Sequence, residues 1–196
     1  TNRELALLVS GEHPFFDAFK TMLNYMETTS TPFKPSETLP GTAPFFERTL
    51  RMNQMVTSIV HDAMAEGWAA KGDYMIPRPH ALTKAIQGGS ASPELIAAVR
   101  QDSTAMEFYT KYGTFELIPV YPAPSHPSYP SGHAIYGAVL AEVTKHYFNA
   151  SPGTIKEIDE IGKAIGRGRC YAGIHYLEDF TAGHDLGVRH AGLALS

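Results

Sequence analysis

The stretch Ser131 to Phe148, SGHAIYGAVLAEVTKHYF, decides the fold class. Ile135, Val139, Leu140 and Val143 fall on one side of a helix, and no period-two alternation competes with that spacing. Working outward, Thr154 to Tyr171 and Leu177 to Leu195 read as two further helices. On the other side, five prolines between Leu117 and Pro130 make a rigid, irregular approach. Phe45 to Ala70 repeats apolar residues at Leu50, Met55, Ile59, Val60, Ala63, Met64 and Trp68, the pattern of a long amphipathic helix that delivers Lys71 at its end. Pro93 suits the first turn of a helix over Glu94 to Asp102, and Ser103 to Tyr112 is also expected to be helical. Residues 3–27 hold two apolar-rich stretches, Leu5 to Val9 and Phe15 to Met26, the second spaced as Phe16, Phe19, Met22, Leu23 and Met26. Thr28 to Pro44, rich in Thr, Ser and Pro, reads as a loop. With no sheet-like alternation and no internal repeat, the expectation is an all-α, single-domain helical bundle over residues 1–196.

Composition narrows the function. The 196 residues are 43% hydrophobic, enough for one sizeable core. A net charge of -4 and a pI near 6.1 provide no global basic field, so nucleic acid is not an expected partner while a compact anion is. The apolar runs are interrupted well before the roughly 18 to 20 residues of a membrane span. The single Cys170 excludes an intrachain disulfide framework. The chain opens at Thr1 rather than Met, which leaves room for a removed leader.

Three separated segments carry the residue types that oxyanion chemistry needs: Lys71 to Pro79 (KGDYMIPRP), Pro130-Ser131-Gly132-His133, and Gly168-Arg169 followed by His175 and Asp179. A phosphoryl group in transit spreads charge over three equatorial oxygens, so cations and amides aimed at those oxygens do most of the work. Arg78 and Arg169 bring planar forks that are always charged, and Lys71 adds a point charge. Ser131 and Gly132, at a helix start, offer amides and a hydroxyl to an anion. His175 and Asp179 are four apart, so they share a face if the turn there is helical, and the carboxylate would fix the imidazole tautomer.

These motifs resemble the signature of the type 2 phosphatidic acid phosphatase superfamily, which also holds bacterial class A acid phosphatases and vanadium-dependent haloperoxidases. The family pattern has Lys, six residues, Arg-Pro; then Pro-Ser-Gly-His; then Ser-Arg, five residues, His, three residues, Asp. Gly168 stands where the pattern has Ser, which removes one hydroxyl contact to the anion. The signature spans Lys71 to Asp179.

The resemblance implies an acid phosphatase/vanadium-dependent haloperoxidase-type bundle. It also implies a metal-independent hydrolysis of phosphate monoesters, in which His175 attacks phosphorus, Asp179 orients it and His133 serves as acid and base. Lys71, Arg78, Ser131, Gly132 and Arg169 would bind the phosphate of a small phosphorylated substrate. No cofactor is then required. In the haloperoxidase branch the same cage holds vanadate on His175 and the enzyme oxidises halide with hydrogen peroxide. Trp68 and the run His126 to Ala134 look like that branch, whereas Lys71, Tyr74-Met75 and Arg78-Pro79 look like the acid phosphatases, as does the compact length. A noncatalytic phosphate-binding protein is the third reading. The resemblance further implies a periplasmic or secreted protein, with homo-oligomerisation open.

Single residues have plainer readings. His13, His61, His80, His146, His184 and His190 are expected to be surface or partly buried structural groups, and His126 an exposed loop histidine, with a place at the pocket mouth as the second reading. No His-Glu-x-x-His or paired-Cys spacing suggests zinc. Cys170 reads as a buried inert thiol, and Trp68 and the methionines of the long helix as core. Tyr74 and Tyr129 could wall the pocket or merely pack.

Overall fold

The structure is a computed structural model that describes residues 14–35, 44–120 and 122–196; the apolar stretch at Leu5 to Val9, His13 and residues 36–43 of the Thr28 to Pro44 loop lie outside them. Eight helices are found among the described residues: α1 (Pro14–Thr28), α2 (Phe45–Tyr74), α3 (Pro79–Gln87), α4 (Pro93–Gln101), α5 (Ser103–Tyr112), α6 (Gly132–Tyr147), α7 (Pro152–Tyr171) and α8 (Leu177–Ala194). Among the described residues, an isolated antiparallel bridge between Phe33 and Phe148 stands in place of any sheet. The fold is all-α, and no helix among the described residues is long and apolar enough to cross a membrane.

The stretch that decides the fold class is also its centre. α6 is buried on every side, from Ala134 through Ala141 and again at Val143 and Thr144, rather than along the single stripe that the sequence suggests. A helix apolar all round can only be stable when other helices enclose it. Here α7 and α8 do so, on small residues. A Cβ on Gly137 would stand 2.2 Å from the Gly162 carbonyl oxygen, so α6 and α7 cross with their backbones nearly touching. Each fully buried Leu, Ile or Val of such a core contributes roughly 1.5–3 kcal/mol.

Local signals set the helix ends. Ser131, Ser151, Ser92 and Asp102 cap α6, α7, α4 and α5 by accepting an amide proton from the first turn. Pro79, Pro93 and Pro152 occupy first-turn positions, where a missing N–H costs nothing. α2 stops at Met75, in the left-handed region at φ 48°. α3 has no counterpart in the sequence reading, which passes over these nine residues because they are too short to establish a period.

In α2 the buried face is Arg48, Met52, Val56, Ile59, Ala63, Gly67 and Lys71. The apolar pattern read from the sequence shares only Ile59 and Ala63 with it. Leu50 is 52% exposed and Trp68 50%, so Trp68 is not a core residue as expected. The helix turns a glycine and a lysine inward instead, and that carries Lys71 into the site.

Candidate active site

Six of the residues singled out by sequence are buried polar groups: Lys71, Arg78, Ser131, Arg169, His175 and Asp179. They come from the end of α2, the start of α3, the start of α6, the end of α7 and the start of α8.

The α7–α8 turn builds the imidazole–carboxylate pair. Asp179 is the third residue of α8, and its Oδ2 accepts the backbone N–H of the N-cap residue Tyr176 at 3.0 Å. His175 lies just before that cap, outside the helix, and its Nδ1 is 3.0 Å from the same oxygen. The pair therefore meets through capping geometry and not on a shared helical face, a correction to the spacing argument. Ionised Asp179 can only accept, so Nδ1 carries the proton. Arg78 NH1 lies 3.0 Å from Nε2 and 3.5 Å from Nδ1, against the ring and not along the Nε2 lone pair. With the proton on Nδ1, Nε2 presents a lone pair. Burial holds His175 well below its ordinary pKa, with the charges of Arg78 and Lys71 adding to the effect against the pull of Asp179. Burial pulls Asp179 upward, but hydrogen bonds from His175, Ser128 and the Tyr176 amide outweigh it and keep the carboxyl low. The pair is a neutral imidazole beside a carboxylate.

Arg78 is fixed along its length. It is the N-cap residue of α3; Nε donates to the His126 carbonyl at 3.1 Å, NH1 to the Ile174 carbonyl at 3.1 Å, and NH2 reaches His126 Nδ1 at 3.2 Å. His126 is thus half-buried against the site rather than exposed on a loop, and its ring lies 4.8 Å from that of Trp68. Burial, then Arg78 and Lys71, lower the His126 pKa. Arg169 closes α7 in its last turn, and burial with the repulsion of Arg78 lowers its pKa to about 10.

Lys71 donates to three backbone carbonyls, of Pro127, Ser128 and Pro130, at 3.0, 3.0 and 2.6 Å. An ammonium has three protons, so Lys71 staples this loop, and a ligand beyond it would feel only the charge. Burial and Arg78 lower its pKa to about 8.

At the start of α6 the Ser131 amide donates to the Asp179 carbonyl at 2.9 Å, so it ties α6 to α8 instead of facing an anion. Its hydroxyl accepts the Ala134 amide at 3.4 Å and keeps its own proton to donate. Gly132 follows at the first helical position, where the amide has no carbonyl one turn behind it. His133 is half-buried on the same turn, its ring 5.1 Å from Phe15.

Ser128 escaped the sequence reading. It is fully buried, and its hydroxyl donates to Asp179 Oδ2. Two residues before Pro130, it looks like one more polar residue of a proline-rich loop, and only the fold reveals its partner.

Cys170 is half-buried rather than buried, and its thiol is pushed up to about 11 by burial and then by Asp179 and Glu178. Tyr74 and Tyr129 pack edge to face at 5.3 Å and line a cavity of about 520 Å³ between α2 and α8, together with Glu66 and Arg189. They wall a groove beside the cage and not the cage itself.

Residues 51–155, more than half of the chain, match the family described as the VCPO second helical-bundle domain. The chain belongs to this family, and so to the superfamily of vanadium haloperoxidases and acid phosphatases. The match takes in Lys71, Arg78 and Ser131 to His133 and ends before Arg169, His175 and Asp179. No curated protein matches the sequence significantly.

Proposed function

We propose that the chain hydrolyses phosphate monoesters through a phosphohistidine, with no metal in the cycle, in the manner of the soluble class A acid phosphatases. The observation that supports this reading is a buried, uncharged imidazole with its proton committed to Asp179 and a lone pair on Nε2, set among three buried cations. That excess of positive charge suits a dianion, and the lone pair suits attack on it. Arg78, Arg169, the Gly132 amide and the Ser131 hydroxyl would take the phosphoryl oxygens, with Lys71 contributing charge from behind the loop. His175 Nε2 attacks phosphorus; the P–O ester bond breaks as His133 gives a proton to the leaving alkoxide. His133 then takes a proton from water, which displaces the histidine and releases inorganic phosphate.

A second reading is favoured by the family match. The donor set also fits vanadate, which Nε2 of His175 would hold while Arg78, Arg169, the Gly132 amide and the Ser131 hydroxyl would take its oxygens. When bound, vanadate supplies the activation of peroxide for halide oxidation; this chain's part would be to hold it and to manage a proton at His133.

The deciding experiment runs both assays on one preparation. Release of phosphate from a chromogenic monoester between roughly pH 4 and 8, blocked by vanadate, is expected. Absence of release across that range would sink the phosphatase reading. Dye bromination with vanadate, peroxide and bromide would install the second. Anion binding with neither activity would leave a phosphate-binding protein.

A further inference from the structure

Three donors converge on one oxygen of the buried carboxylate, and the sequence signature accounts for only one of them. Asp179 Oδ2 accepts from His175 Nδ1, from the Tyr176 amide and from the Ser128 hydroxyl. Ser128 Oγ is also 3.4 Å from His175 Nδ1. With its one proton given to Asp179, the hydroxyl can turn only lone pairs toward that nitrogen. A His175 protonated on Nε2 instead would face lone pairs from Ser128 and Asp179 together, which is unfavourable for a buried ring.

The backbone of Ser128 is fixed as firmly as its side chain. Its amide donates to the Ile76 carbonyl at 2.8 Å and its carbonyl accepts from Lys71 Nζ at 3.0 Å. The residue thus joins the cation staple to the imidazole–carboxylate pair.

We propose that Ser128 is a positioning residue, whose hydroxyl selects the His175 tautomer that leaves Nε2 open to the bound oxyanion. The proposal rests on the reading of His175 as the group that meets the anion. Lys71 from α2, Arg78 at the start of α3, His126 beside Arg78, Cys170 from α7 and Tyr176 before α8 are the other titratable groups around the pair, and all remain when the hydroxyl is removed.

The test compares Ser128→Ala and Ser128→Thr with the parent protein. Nitrogen-15 NMR of labelled histidine, without substrate, reads the His175 tautomer and its titration. The parent and the Thr variant are expected to hold the proton on Nδ1. In the Ala variant the carboxylate loses a donor and becomes more basic. The pair then takes up a proton at higher pH, and some of the Nε2-protonated form appears. With turnover as readout, kcat falls about tenfold to a hundredfold with KM little changed, and the acid limb of the rate profile moves to higher pH. Loss of packing alone would lower the rate without moving that limb. Identical His175 spectra and titration in the parent and Ala proteins would overturn the proposal. If the Ala variant does not fold, Ser128→Cys, with its weaker donor, must show the same direction of shift, and an unshifted Cys variant overturns it equally. Because the spectra need no substrate, a protein that hydrolyses nothing yet shows the tautomer change would retire the phosphatase reading and keep the role of Ser128.

Discussion

Asp179, which only accepts, faces Nδ1 of His175, and Arg78 lies against the ring 3.0 Å from Nε2. Replacing it with Ala is expected to lower kcat/KM at least about a thousandfold, as loss of a nucleophile does, while the fold survives. His133→Ala should lower kcat roughly a hundredfold to ten-thousandfold and leave vanadate affinity closer to the parent's, by calorimetry; equal losses in both would deny it the role of acid.

The pH dependence follows from the same shifts. His175 is depressed below its ordinary 6.5, so the unfolded chain binds the extra proton first and stability falls as pH drops below about 6.5. In the proposed hydrolysis His175 would stay uncharged well into the acid range, which places the acid limb of the rate below that of a solvated imidazole. On the other side, Lys71 loses its charge near 8, so vanadate affinity should weaken as pH rises through that value. An affinity flat from pH 7 to 9 would show that this ammonium contributes nothing to binding.

At the level of elements, helix existence was legible where capping residues and apolar spacing agreed, as in α6 and α7, and from apolar content alone in α8. What the spacing could not give was depth. α2 exposes Trp68 and Leu50 while burying Gly67 and Lys71, because its inward face runs through Met52, Val56, Ile59 and Ala63 and is continued by Gly67 and Lys71, which hydropathy does not mark. α6 read as one-sided for the same reason: its Gly and Ala positions form the other sides of the contact. The crossing of α6 and α7 makes this testable. Gly137→Ala would drive a methyl into the Gly162 carbonyl, at a cost of about 1–3 kcal/mol, and lower Tm by roughly 2–4 °C for each of those kcal/mol. An unchanged melting curve would mean that the helices part freely.

For the molecule as a whole, the signature foretold which segments meet but not what each does there. Lys71 and the Ser131 amide direct their protons to backbone carbonyls, Ser128 joins the site unannounced and His126 takes the less expected of its two places, and each of these facts depends on how a proline-rich loop closes over the ends of five helices. A cage assembled from so many elements should tighten the entire fold when filled. Vanadate at a hundred times its Kd is expected to add about 2.7 kcal/mol of stability and raise Tm by about 5–10 °C. No shift at saturating vanadate would argue against an oxyanion site.

The half-exposed Trp68 is the only indole in the chain, and its ring rests on His126, which in turn touches Arg78. The protein thus carries a built-in optical reporter one residue removed from its cage. Any guest that draws the guanidinium away from His126 should alter the intrinsic fluorescence, so occupancy can be followed by light emission with neither dye nor turnover.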